Sequence, residues 1–107
     1  MILFKKRFIE LILSGKKTST RRIGAKRWNV GSTHQLKTSF FSEPFAVVEI
    51  LGVRQEKLGD ISQTDSESEG FNTPAEFIAS YRDIHKLDEA DDIAATQVWV
   101  ISFKLAE

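Results

Sequence analysis

Phe4, Phe8, Leu11 and Ile12 recur at helical spacing, with Lys5, Arg7, Glu10 and Ser14 between them. Gly15 supplies a C-terminal stop, so the spacing predicts a helix over residues 5–14. The next segment, Lys16–Arg22, is rich in hydroxyls and lacks helical periodicity, and it reads as a short strand. Its side chains then alternate, with Lys17, Ser19 and Arg21 on one face and Thr18, Thr20 and Arg22 on the other. Residues 23–31 read as a loop carrying Lys26, Arg27 and Trp28. Strands are expected over His34–Phe40 and, with Ala46, Val48 and Ile50 on one face, over Phe45–Val53. Residues 54–63 read as polar and irregular.

Two helix starts follow. Thr64 with Glu67 fits a capping box for a short helix over 65–69, ended by Gly70. Thr73, Pro74 and Glu76 form a second box that opens a helix running to His85. Asp88–Asp92 reads as a solvated acidic loop. The chain closes with a strand over Gln97–Leu105. Trp99, Ile101, Phe103 and Leu105 share one face and Val98 and Val100 the other, so this strand belongs in the interior of a sheet. Strands interrupted by helices describe an α+β fold, or a small barrel decorated by helices.

A chain of 107 residues is expected to form one domain, 1–107, with one modest core. No stretch approaches the run of about 18 apolar residues that a membrane-spanning helix needs. There is no cysteine, hence no disulfide, thiolate metal site or cysteine nucleophile. A cytoplasmic protein is expected, without a membrane partner. The net charge of zero hides an asymmetry. Residues 1–37 carry ten basic side chains against the single acid Glu10, and residues 38–107 carry five basic side chains against fourteen acids. Either the first half presents a surface for a phosphate-bearing partner, or the two halves pair their charges across the fold.

Metal and classical cofactors find no support in the pattern. His34 and His85 lie far apart without ligand spacing, and Asp88–Asp92 lacks the glycine turn and closing glutamate of a calcium loop. No glycine-rich phosphate loop occurs. What remains is Gly15–Arg22, where a lysine, hydroxyls and guanidinium groups crowd a helix–strand junction. Such groups bind phosphates or polarise carbonyls, and a desolvated lysine can act as a base. The same residues also describe a hydrophilic edge strand with lysines exposed against aggregation.

The order Phe8, Ile12–Arg22, Trp28-Asn29-Val30-Gly31, Glu69-Gly70-Phe71 and Val98–Phe103 resembles the ASCH domain family over almost the whole chain. The resemblance implies a small PUA-like β-barrel with flanking helices and a cleft that binds RNA or a modified nucleoside or nucleotide. Some compact bacterial members remove the acetyl group from N4-acetylcytidine. The resemblance to those members implies Lys17, Thr20 and Glu69 as catalytic residues, with the motif arginine at Arg22. The chain departs from that pattern, with Ser19 and Arg21 where those enzymes carry apolar residues and a more basic stretch over 24–30.

In an amide hydrolysis Lys17 would take the Thr20 proton, Glu69 would protonate or orient the leaving amine, and Arg22 would stabilise oxyanion charge. An ideal strand points Lys17 and Thr20 to opposite faces, so this reading expects a bulge near Thr18–Ser19. Lys16, Arg21, Arg22, Lys26, Arg27 and Trp28 are the candidate ligand- or RNA-binding residues. Trp28 and Phe40 either stack on bases or belong to the core. A non-catalytic RNA-binding module and a ribonuclease using the same cleft are the alternatives. Glu69 separates them best, because a carboxylate opposite a basic cleft repels phosphate, unless it only caps a helix or pairs with Lys17 or Arg22.

Overall fold

The computed structural model describes residues 1–88 and 91–106. It contains five strands: β1 (Ile2–Leu3), β2 (Ser19–Arg22), β3 (Thr33–Lys37), β4 (Ala46–Lys57) and β5 (Gln97–Leu105). Three α-helices accompany them: α1 (Ile9–Leu13), α2 (Gln63–Ser68) and α3 (Pro74–Ile84). The strands form one mixed sheet in the order β1-β3-β4-β5-β2, antiparallel except for the β1–β3 pair. The sheet curls into a half-barrel whose two free edges are β1 and β2.

The alternation along β5 explains its place. Ile101 and Phe103 enter one core cluster with Ile2, Phe4, Phe8, Ile12, Leu36, Val48 and Ile50. Val98 and Val100 enter a second cluster, with Leu58, Phe77, Tyr81 and Ile93 under α3. A strand buried on both faces has no free edge to spare, and β5 lies between β4 and β2. Phe71 packs against both clusters and makes edge-to-face contacts with Phe8 and Phe77.

Several boundaries differ from the sequence expectations. The predicted helix over 5–14 begins with a 3₁₀ turn, Lys6–Phe8, before α1. The expected strand over His34–Phe40 ends at Lys37, where the Ser42 hydroxyl ties up the Thr38 and Ser39 N–H groups. Residues 54–63 are not irregular. Arg54–Lys57 prolong β4, because β5 runs on to Gln97 and needs a partner, and a 3₁₀ turn and the start of α2 follow. The cap of α2 is Ser62, not Thr64: its hydroxyl accepts from the Asp65 N–H. The α3 start is as expected, with the Thr73 hydroxyl accepting from the Glu76 N–H, but the Glu76 carboxylate closes on the Asn72 N–H instead of that of the cap. Of the acidic run Asp88–Asp92, Glu89 and Ala90 lie outside the described residues. No helix among the described residues is long and apolar enough to cross a membrane.

Candidate active site

The segment between α1 and β2 is pinned at both ends by backbone hydrogen bonds. The Lys17 N–H donates to the Leu11 carbonyl, the Thr18 N–H to the Ser68 carbonyl, and the Thr18 carbonyl accepts from Phe103. Lys17 therefore precedes β2, which pairs with β5 in unbroken register from Ser19 to Arg22. The bulge expected near Thr18–Ser19 is absent. The irregularity in the sheet lies in β4, between Ile50 and Gly52.

The alternation read from the sequence holds on the Lys17 face. Lys17 Nζ donates to Glu69 Oε1 at 2.9 Å and to the Glu69 carbonyl at 2.8 Å. Ser19 Oγ donates to Glu69 Oε2 at 3.4 Å, and Arg21 Nη1 to the same oxygen at 2.9 Å. Lys17 is only 3% exposed and Glu69 2%. Burial therefore pulls the Lys17 ammonium below its ordinary value, reinforced by Arg21 and Arg22 and opposed by Glu69. Lysines exposed on an edge strand do not describe this residue.

Glu69 reaches the site because α2 stops there. The Gly70 N–H bonds to the Glu67 carbonyl and the Phe71 N–H to the Ser66 carbonyl, a Schellman ending that needs a left-handed residue after Glu69. Gly70 supplies it, at φ 96°, and a Cβ there would lie 3.0 Å from Leu11 Cδ1.

Behind Glu69 the charges continue outward. Arg21 Nη2 bonds to Glu56 Oε1 at 2.9 Å and to Asp65 Oδ2 at 3.2 Å, and Arg54 bridges Glu56 and Asp65 from the surface. Arg21 is thus held by three carboxylates, which is the charge pairing between halves that the sequence left open. Among the described residues its buried Nε has no hydrogen-bond partner.

Arg22, on the other face, is treated differently. Its Nε donates to Thr20 Oγ1 at 3.1 Å and its Nη2 to the Leu3 carbonyl at 2.7 Å. The second bond crosses from β2 to β1, so Arg22 spans the gap between the two sheet edges. Its guanidinium lies 4.8 Å from the Phe4 ring centroid. Burial holds its pKa below the usual arginine value, with Glu69 opposing the effect and Arg27 adding to it.

A cavity of about 380 Å³ opens between these edges and α3. Lys17, Thr20, Arg21, Arg22 and Glu69 line one part, and Phe8, Phe71, Phe77, Tyr81 and His85 line another. The cavity wraps the free edge of β2, which is how residues from both strand faces meet in it. Among the described residues no hydrogen bond joins Thr20 to Lys17 or Glu69. Arg27 and Trp28 also line the cavity, whereas Lys16 and Lys26 are exposed and lie outside it. Trp28 belongs to the core at the cavity's edge, and Phe40 is exposed beside an adjoining hollow.

Structural comparison places this architecture. An ASCH domain from Lactobacillus crispatus superposes with a TM-score of 0.74 at 20% identity, over 91% of this chain and 69% of that one. The chain has the ASCH-domain fold. An ASCH protein from Zymomonas mobilis matches at TM-score 0.64 and 16% identity, over 99% of this chain and 65% of its own. A DUF984 protein from Enterococcus faecalis matches at 0.70 and 18%, over 94% and 70%. No protein-family model and no curated protein matches the sequence.

On this ASCH fold the sequence reasoning missed α3 as a cavity wall. Tyr81 and His85 sit one turn apart, with rings 4.2 Å between centroids, and both line the cavity. Burial, and then Arg22, hold the His85 imidazole below its usual value. The i, i+4 spacing was legible, but nothing in the sequence aims that helix face at β2.

Proposed function

We propose that the cavity binds a nucleoside and hydrolyses an amide on its base, with N4-acetylcytidine as the type of substrate. The observation that carries this reading is the placement of the Lys17 amine, buried at the cavity wall with Glu69 as its hydrogen-bond partner. An ammonium has three donors, and the two hydrogen bonds of Lys17 both go to Glu69. In the neutral amine those two hydrogens remain on Glu69 and the lone pair is left for the cavity that Lys17 lines. Burial favours that neutral form.

The same geometry sorts the roles. Arg22 donates to Thr20 Oγ1, so the hydroxyl's own hydrogen is left for a base. Thr20 Oγ1 attacks the acyl carbon and its proton passes to Lys17 Nζ. Lys17 then delivers that proton to the base nitrogen as the C–N bond breaks. Water attacks the acyl-threonine, Lys17 takes the water's proton and returns it to Thr20 Oγ1, and acetate leaves. Glu69, already accepting from Lys17, Ser19 and Arg21, orients the amine, as the carboxylate does in a serine–histidine–acid triad. Protonating the leaving amine itself suits it less well.

The cavity suits a base. Phe8, Phe71 and Phe77 present apolar rings, and the Trp28 indole N–H and Tyr81 hydroxyl have no hydrogen-bond partner among the described residues. Neither is a buried unsatisfied atom, so both tips open onto the cavity, where a ligand can take them over from water.

The purified protein should release cytidine from N4-acetylcytidine, followed by chromatography. Lys17→Ala and Glu69→Gln should lower the rate by at least about a hundredfold, with circular dichroism unchanged. A folded wild type that releases no cytidine at high enzyme concentration would sink the reading. The engagement of Glu69 by three donors favours, as the second reading, a non-catalytic ligand-binding module in which the cluster only holds the cleft together. That reading expects binding without turnover.

A further inference from the structure

The cavity carries more positive charge than its chemistry uses. Among the described residues five basic side chains line it, Lys5, Lys17, Arg21, Arg22 and Arg27, against the carboxylate of Glu69. Lys17 and Arg21 are matched by Glu69, Glu56 and Asp65. Lys5, Arg22 and Arg27 have no carboxylate within 4.0 Å among the described residues. Arg22 Nη1 has no hydrogen-bond partner there, and neither does any nitrogen of the Arg27 guanidinium or the Lys5 amine. Arg22 is half-buried, so its charge is screened less than that of a surface arginine.

We propose that the ligand is a nucleoside monophosphate, whose phosphate is held by Arg22, Arg27 and Lys5 while its base occupies the aromatic part of the cavity. The inference rests on the nucleoside reading above and adds the phosphate to it. Three unpaired cations suit a group carrying nearly two negative charges, and two guanidinium forks match phosphate oxygens. A polynucleotide strand would need a track of cations leading away from the cavity. The adjoining hollow adds no further basic side chain: Met1, Leu3, Trp28 and Phe40 line it beside the same Arg22 and Arg27.

Isothermal titration with cytidine and cytidine 5′-monophosphate tests this, because neither probe is consumed by the hydrolysis. The monophosphate should bind at least about tenfold tighter than cytidine at low salt, and the advantage should shrink as salt rises. The double variant Lys5→Gln with Arg27→Gln should lose the advantage while binding cytidine as the wild type does. Equal affinity for the two probes overturns the inference and leaves the nucleoside reading standing. A phosphate advantage that survives in the double variant also overturns it. If an oligocytidylate binds more than tenfold tighter than the monophosphate, the cations belong to a strand-binding surface and the inference is wrong. If no probe binds, the nucleoside reading itself fails and takes the inference with it.

Discussion

Arg21 and Arg22 are consecutive residues of one edge strand, yet they sit in opposite electrostatic circumstances. Arg21 points to the floor of the cavity, where Glu69, Glu56 and Asp65 surround it and Arg54 closes the network from the surface. Arg22 points toward the opening, where among the described residues it meets a hydroxyl and a carbonyl but no carboxylate. The floor is a compensated cluster that fixes the positions of Lys17 and Glu69. The mouth is uncompensated and has binding capacity left over. A single total of basic residues hides this division, since charge that is already paired inside the fold contributes little field outside it.

Substitutions at the two places should behave accordingly. The largest effect is expected from Glu69→Ala, which strands Lys17 and Arg21 in a buried site. Breaking such a pair costs about 3–5 kcal/mol, and thermal unfolding should register it as a fall of 10 °C or more, at roughly 4–8 °C per kcal/mol for a chain of this size. An unchanged midpoint would mean that the floor is not a compensated cluster. Gly70→Ala should follow, at about 1–2 kcal/mol for an L-residue forced into the left-handed region, with a loss of turnover because Glu69 shifts with it. Thr20→Val removes a hydroxyl and its bond to Arg22, and urea unfolding should show a loss of about 1 kcal/mol. Its turnover of N4-acetylcytidine should nonetheless vanish, and normal turnover would exclude Thr20 as the nucleophile. Arg27→Gln should be the mildest, within about 0.5 kcal/mol of wild type in the same assay. A larger loss would show that the mouth, too, is part of the structural framework.

How much of this the sequence showed depends on which force set each feature. The alternation of Lys17, Ser19 and Arg21 was legible, because a strand's period of two is local geometry. So was the two-sided burial of β5, which follows from its apolar residues at both parities. The path of Arg54–Lys57 was not, because those residues are polar and only the length of β5 draws them into the sheet. The meeting of Lys17 with Glu69 came from family resemblance. Their 52-residue separation is bridged by the stop of α2 and by the Thr18–Ser68 backbone bond, neither of which periodicity reveals. The expected bulge at Thr18–Ser19 was a wrong solution to a real geometric question. The cavity instead opens at a strand edge, where both faces are accessible, and no local pattern says which strand will be an edge.

The pH dependence of N4-acetylcytidine hydrolysis tests the central claim most directly, because a base is active only in its deprotonated form. Burial lowers Lys17 from 10.5, so the rate of cytidine release should rise with pH and level off below that value. Removing the Arg22 and Arg21 charges would then move the rise upward, since both cations hold the Lys17 value down. A rate that falls as pH rises toward 10.5, or that does not drop even at the acidic end where Lys17 must be protonated, would contradict Lys17 acting as the base.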